Sequence, residues 1–395
     1  MYKEETAKYL GNIIRHSLNG EPLEMLPDET EIVELYRIAR ANQIDCMVGK
    51  ALLEMNILNE ADAAAVHGRC VKLLLHSATQ LNELTQIQNA FEENEIKNLP
   101  LKGSRMKAYY KSPELRQMSD LDICVEEIEL QRVQKVMEQL GYTLKESIAN
   151  HDVYGKKPFM EVEIHRCLFK QEVDKKQHDY FGSFEKAIID EGKQYCYHQS
   201  LEDYYVYMIA HMAGHFYERG CGIRNLIDIH VFLQNFKEAL DLKYIQSELE
   251  VCGLKDFEAH MRTLTEMWLH EKKIEDPFYQ NLFGYMTNCG IYGKEEYGIW
   301  NEYARQKKRE GQKNAKYMKL WYIFPPVHYM QKDFPVLKKY PILLPFLWVF
   351  RIVRGLVCKR GVERREYLNQ VGKEDIGILQ TIYEKMNFDF CEMKQ

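Results

Sequence analysis

Through the first 95 residues apolar positions recur every three or four residues, and no β-branched alternation interrupts them. In "ETEIVELYRIARANQ" and "ATQLNELTQIQNAFEENEI" that spacing predicts amphipathic helices, with Asp28 and Thr30 as candidate caps of the first. From about Asn98 the pattern shortens to apolar strands punctuated by turn residues. One helix stands among them, "EEIELQRVQKVMEQLGY", whose Ile128, Val133, Val136, Met137 and Leu140 form a stripe ended by Gly141. "PFMEVEIHRCLF" alternates strictly, so that Glu161, Glu163 and His165 leave one face of a strand and Val162 and Ile164 the other. After about Ser200 the helical period returns. "LEDYYVYMIAHMAGHFYERG" and "IRNLIDIHVFLQNF" are joined by a Gly-Cys-Gly break suited to an αα-hairpin.

This order predicts an α+β protein in three parts: a helical region over 1–95, a mixed-sheet core over 96–200 and a helical region with a basic tail over 201–395. Its length of 395 residues suits two or three folding units. With 46% hydrophobic and 28% charged residues the chain is globular rather than disordered or fibrous.

Charge is unevenly spread. Residues 301–370 hold 16 Lys+Arg against 5 Asp+Glu, a local +11, whereas the whole chain carries −6. A basic end on an acidic body implies an anionic partner there, an anionic membrane surface or a nucleic acid, or else a solvated face. The ten cysteines are scattered with no C-x-x-C pair, which predicts unpaired thiols in a cytoplasmic setting, with any membrane contact peripheral at the inner face. "MYKEETAKYLGNIIRHSLNG" lacks the apolar centre of a secretory signal. The apolar run Pro341–Phe350 holds two prolines and falls far short of the roughly 20 residues of a spanning helix, so a transmembrane segment is not expected. The segment "PILLPFLWVFRIVRGLVCKR" reads either as a proline-broken packing segment or as an interfacial one.

Chemistry concentrates in "LPLKGSRMKAYYKSPELRQMSDLDICV". Asp120 and Asp122, two residues apart on an extended segment, point the same way about 7 Å apart, while Leu121, Ile123 and Val125 face a core. Ionised carboxylates beside an apolar strand need a cation or donors. Mg2+ (or Mn2+), which takes one or two protein carboxylates and completes its shell with water and phosphate oxygens, suits them. Gly103 and Ser104 open a short helical pattern, where backbone N–H groups can meet a phosphate. Arg116 is a candidate phosphate clamp, with Lys102 and Arg105 as weaker ones. A third carboxylate is expected from a neighbouring strand, Glu163 or else Glu161.

Gly-Ser, a short helix, Asp-x-Asp among apolar residues and a lone acid on a later strand together resemble the polymerase-β-like nucleotidyltransferases. More narrowly, "LPLKG", "ELRQMSDLDICV", "VEIHRCL" and "HMAGHF" with "IRNLIDIHVFL" are similar to the bacterial family usually labelled uncharacterised nucleotidyltransferases, several of which accompany polysaccharide or peptide biosynthesis genes. The resemblance spans roughly residues 95–235. It implies a palm with a mixed sheet, transfer of a nucleoside monophosphate from an NTP to an acceptor (a small molecule, a glycan precursor or a macromolecule), Asp120, Asp122 and Glu163 as metal ligands, and Gly103 and Ser104 as the phosphate cradle. Fifteen residues separate Ser104 from Asp120, more than in the broad superfamily.

His165 shares the face of Glu163 and is a candidate on the acceptor side, as are His211 and His215, whose four-residue spacing can also bind zinc. Arg224 and Asp228 belong to "RNLIDIH", which has the form found in small helical ribonucleases, a short pattern easily met by chance, and at i and i+4 they also suit a helix-surface ion pair. Two rival functions remain open: a regulatory or antitoxin-like nucleotide-binding module without turnover, and a metal-dependent glycosyltransferase, which also uses Asp-x-Asp but needs parallel strands before it.

Overall fold

The computed structural model describes residues 3–25, 29–148, 150–169, 175–182, 184–293, 320, 323–357 and 373–387. They form two compact units, one taking in the described residues up to His215 and from Cys221 to Tyr292, the other Phe216–Gly220 and the described residues from Gly293 to Asn387. The helical stretch after residue 200 is thus divided between them.

In the first unit α1 (Glu4–Asn19), α2 (Glu29–Ala41), α3 (Asp45–Met55) and α4 (Glu60–Glu93) follow the predicted helical period. Thr30 lies inside α2 rather than at its cap, and Asp28 lies outside the described residues. The chain then enters a five-stranded sheet of order β1-β2-β5-β4-β3, built from β1 (Asn98–Pro100), β2 (Leu121–Val125), β3 (Thr143–Ser147), β4 (His151–Lys156) and β5 (Met160–His165). The pair β2–β5 is parallel and the others are antiparallel, so the sheet is mixed. Between β1 and β2 lie the one-turn α5 (Gly103–Met106) and two 3-10 turns, and α6 (Leu130–Gln139) crosses over from β2 toward β3. Gly141, at φ 85°, ends α6 in the left-handed conformation that a side chain would resist.

One face of the sheet is core. Leu84, Ile87 and Phe91 of α4 and Val133, Val136 and Met137 of α6 pack on Leu121, Ile123, Val125, Tyr154, Val162 and Ile164. Ile128, expected in the α6 stripe, is 85% exposed because Glu127–Glu129 form a 3-10 turn before the α-helix starts and the 3.6-residue phase does not reach it. Strand alternation therefore turns Asp122, Glu163 and His165 to the other face.

After β6 (Ala187–Ile189) and β7 (Tyr197–Gln199) come α7's successors in the hairpin: α7 itself is Lys175–Phe181, then α8 (Leu201–Arg219), α9 (Arg224–Phe236), α10 (Leu242–Val251), α11 (Lys255–Leu269) and α12 (Pro277–Cys289). Gly220, Cys221 and Gly222 separate α8 from α9, as the sequence predicts.

The second unit has helices over Val327–Asp333, Val336–Lys339, Leu344–Val357 and Lys373–Met386. Its prolines do not break the apolar segment as expected. Pro341 opens a 3-10 turn and Pro345 sits in the first helical turn, positions whose missing N–H costs no hydrogen bond. The basic run over 301–319 and the arginine-rich stretch over 358–372 lie outside the described residues. Among the described residues no helix is long and apolar enough to cross a membrane.

Candidate active site

The site begins with a register. In the parallel β2–β5 pair Asp122 stands opposite Glu163, and Cys124 opposite His165. The antiparallel β4–β5 pair sets Val153 against Glu163 and His151 against His165. Three strands thereby bring Asp122, Glu163, His165 and His151 onto one patch. His165 Nε2 lies 2.7 Å from Asp122 Oδ1 and 3.3 Å from Glu163 Oε2, and His151 Nε2 lies 3.6 Å from Glu163 Oε2.

Asp120 sits two residues before Asp122, just ahead of the strand. Its carboxyl is pushed up to about 7 by burial and by the negative charges of Asp122 and Glu163, against the pull of Lys102. Burial works against the Asp122 carboxylate too, but the Lys102 ammonium and the His165 hydrogen bond outweigh it and hold Asp122 well below the usual carboxylate range. A hydrogen bond from His165 lowers Glu163 against the effect of burial. Burial would lower His165, yet its bonds to Asp122 and Glu163 raise it. The three carboxylates the sequence singled out thus share one field. Glu161, the fallback, lies one pair farther along β5 and binds Lys145 at 3.2 Å on the exposed sheet.

Lys102 is held in place by its backbone. Leu101 O accepts from Ser104 N at 3.3 Å, Leu101 N donates to Asp122 O at 2.9 Å and the Tyr204 hydroxyl donates to Lys102 O at 2.7 Å. Lys102 has φ 46° and ψ −119°, the first central position of a type II′ turn, where glycine is the usual residue. The constraint aims its Nζ at Asp122 Oδ1, 2.8 Å away. Sequence reasoning assigned Lys102 to phosphate; here its ammonium rests on a carboxylate.

Gly103 is explained by its neighbour. A Cβ there would lie 2.9 Å from Arg116 Nη1 and 3.2 Å from Met118 Sδ. The Ser104 side chain is buried and its Oγ has no hydrogen-bond partner among the described residues. The buried Tyr207 hydroxyl is likewise unpartnered there and lies within the field of Asp122. Both are buried donors without a partner among the described residues, and such donors suit a polar ligand.

Arg116 is not free to clamp a phosphate. It is 7% exposed, and its Nε and Nη2 donate to Asp228 Oδ1 and Oδ2 at 3.0 and 2.9 Å while Nη1 donates to Gln117 O. Arg105 is also committed, donating to Gln199 O and to the Tyr109 hydroxyl. The expected surface ion pair of Arg224 with Asp228 is absent: both are buried, Asp228 belongs to Arg116 and Tyr110, and Arg224 donates to Gln43 and to Gln117 O. Both lie on the buried face of their helix. His230 of the same motif is buried, with its Nδ1 3.1 Å from His270 Nε2. His211 and His215 touch at 3.1 Å, and burial together with Lys102 and His215 keeps His211 neutral.

Two side chains were missed. Lys102 as the partner of Asp122 depends on turn geometry, which a Lys-Gly pair does not announce. His151 was within reach: a hairpin turning at Lys157-Pro158-Phe159 sets it opposite His165. A cavity of about 670 Å3 opens beyond the C-terminal ends of β2 and β5, lined by Glu126, Glu127, Arg166, Cys167, His178, Phe184 and Glu185.

Residues 28–270 match the family described as "Uncharacterised nucleotidyltransferase". No curated protein matches the chain. Among solved structures, the crystal structure of ANT(2'')-Ia in complex with adenylyl-2''-tobramycin shares 11% identity at a TM-score of 0.32, over 44% of this chain and 97% of its own. The family match takes in more than half of the chain, including β2, β5 and the helices around them, and the chain belongs to the uncharacterised nucleotidyltransferase family.

Proposed function

We propose that the five-stranded sheet is a nucleotidyltransferase palm on which Asp120, Asp122 and Glu163 serve transfer of a nucleoside monophosphate from an NTP to an acceptor hydroxyl. The observation that carries this reading is the Asp122–Glu163 register, which sets two carboxylates side by side with a third two residues away. The donor set fits divalent cations, Mg2+ or Mn2+, because three carboxylates gather on one sheet face, where burial and the charges of Asp122 and Glu163 raise Asp120 against the pull of Lys102. When bound, such cations neutralise triphosphate charge and activate the attacking oxygen. Asp120, Asp122 and Glu163 would hold them, and Lys102, released from Asp122, would be free for a phosphate oxygen. Ser104 Oγ and the Tyr207 hydroxyl supply donors that have no hydrogen-bond partner among the described residues. In the reaction the acceptor oxygen bonds the α-phosphorus, the bond to pyrophosphate breaks, and the acceptor proton leaves to a base.

Lys102 on Asp122 favours a second reading, a nucleotide-binding module without turnover. Titration with each NTP, with and without Mg2+, while pyrophosphate is measured, separates the two. Mg2+-dependent release supports the enzyme, binding without release supports the module, and binding of a nucleotide sugar in preference to every NTP overturns both.

A further inference from the structure

The described residues hold a second kind of donor set, which shares Glu163 and Asp122 with the carboxylate cluster and adds two imidazoles. His151 Nε2, Glu163 Oε2 and His165 Nε2 all lie within 4.8 Å of one another. The two histidines are direct register partners and their ring centroids are 5.0 Å apart. In a tetrahedral zinc site with bonds of about 2.0–2.1 Å, neighbouring donors stand about 3.3 Å apart. Glu163 Oε2 already stands 3.3 Å from one nitrogen and 3.6 Å from the other. Asp122 Oδ1, 2.7 Å from His165 Nε2, is a fourth donor within reach.

We propose that His151, Glu163 and His165 form a binding site for a divalent transition-metal ion of the zinc class, with Asp122 as a further ligand. Imidazole nitrogens favour Zn2+ and Co2+, whereas Mg2+ prefers an all-oxygen shell, so the site selects against the ion expected at a purely carboxylate centre. Strand positions rather than loops carry all four donors, which limits the rearrangement that binding requires to the side chains. His165 and Lys102 both bond Asp122 Oδ1, so Asp122 engages as the fourth ligand either through its other oxygen or by exchanging these bonds for the metal. This goes beyond nucleotidyl transfer, since it needs no nucleotide.

The test is a Co2+ titration of the metal-stripped full chain followed by visible absorption. One equivalent of Co2+ is expected to give the d–d bands of a four- or five-coordinate ion, lost on adding Zn2+ and retained in excess Mg2+. His151→Gln and His165→Gln should each weaken Co2+ binding at least on the order of 10²-fold, while His198→Gln, at the β6–β7 pair, should leave it unchanged. As a second measurement on the native chain, Zn2+ should raise the unfolding temperature of wild type and not that of His151→Gln. Absence of the bands in wild type, bands undiminished in both histidine variants, or displacement by Mg2+ at equal concentration would each overturn the site. Pyrophosphate release in Mg2+ is read separately, so failure of either reading is recognised on its own.

Discussion

Asp122 and Glu163 lie 41 positions apart in the chain and directly opposite one another in the β2–β5 ladder. Parallel strands set 4.7–4.9 Å apart hold such partners side by side without help from loops. If the pair serves nucleotidyl transfer, Asp122→Asn should lower turnover at least about 10³-fold, about 4 kcal/mol of barrier, and Glu163→Gln about 10²-fold. Pyrophosphate release under saturating NTP measures both. Near-wild-type turnover in Asp122→Asn would remove that residue from the chemistry.

The turn at Lys102 gives a prediction on stability. Lys102→Gly and Lys102→Ala both remove the ammonium from Asp122, but only glycine relaxes φ 46° with ψ −119°. The glycine variant should therefore be the more stable of the two by about 1 kcal/mol in denaturant unfolding. Equal midpoints would show that the backbone there stores no strain.

How far the sequence disclosed this site follows from the range of each interaction. The alternation of Met160–His165 was legible because one face is core and a strand's period is two, so the faces of Glu163 and His165 follow from the pattern. Asp122 was legible for the same reason. Which strand lies beside β2 was not, since nothing local distinguishes β5 from β4 as its neighbour. The bonds of Arg116 to Asp228 join residues 112 apart, and a loop arginine free for phosphate looks identical in sequence to one buried under a helix. Gly103 is similar: a glycine needed to admit a guanidinium and a glycine needed to admit a phosphate leave the same letter, and the space beside Gly103 is taken by Arg116.

That buried pair can be tested by a double-mutant cycle. Arg116 and Asp228 form a two-pronged bond with Tyr110 as a third partner, tying the segment before β2 to α9. Removing one charge strands the other in the core, so Arg116→Met and Asp228→Asn should each cost about 3–5 kcal/mol. The double variant should cost less than the sum by at least about 1 kcal/mol. Arg116→Lys should not rescue, because an ammonium cannot span both oxygens. Strict additivity in urea unfolding would mean that the two side chains act independently.

Lys107 is 1% exposed and donates to Ser77 Oγ at 2.9 Å and Gln80 Oε1 at 3.0 Å, both neutral acceptors, 30 and 27 residues away in the chain. Burial, with Arg116 and Arg224 nearby and only partly offset by Glu114, lowers its pKa to about 7 from 10.5. Between those two values the unfolded chain binds the proton that the folded chain has released, so stability rises with pH across that window and the folded lysine is penalised below it. The full increment is on the order of 5 kcal/mol. Tyrosines and thiols titrate in the same range, which makes the difference between wild type and Lys107→Met the informative quantity. Unfolding free energies measured from pH 7 to 10 should rise in wild type relative to Lys107→Met, and parallel profiles would mean that Lys107 keeps its proton in the fold.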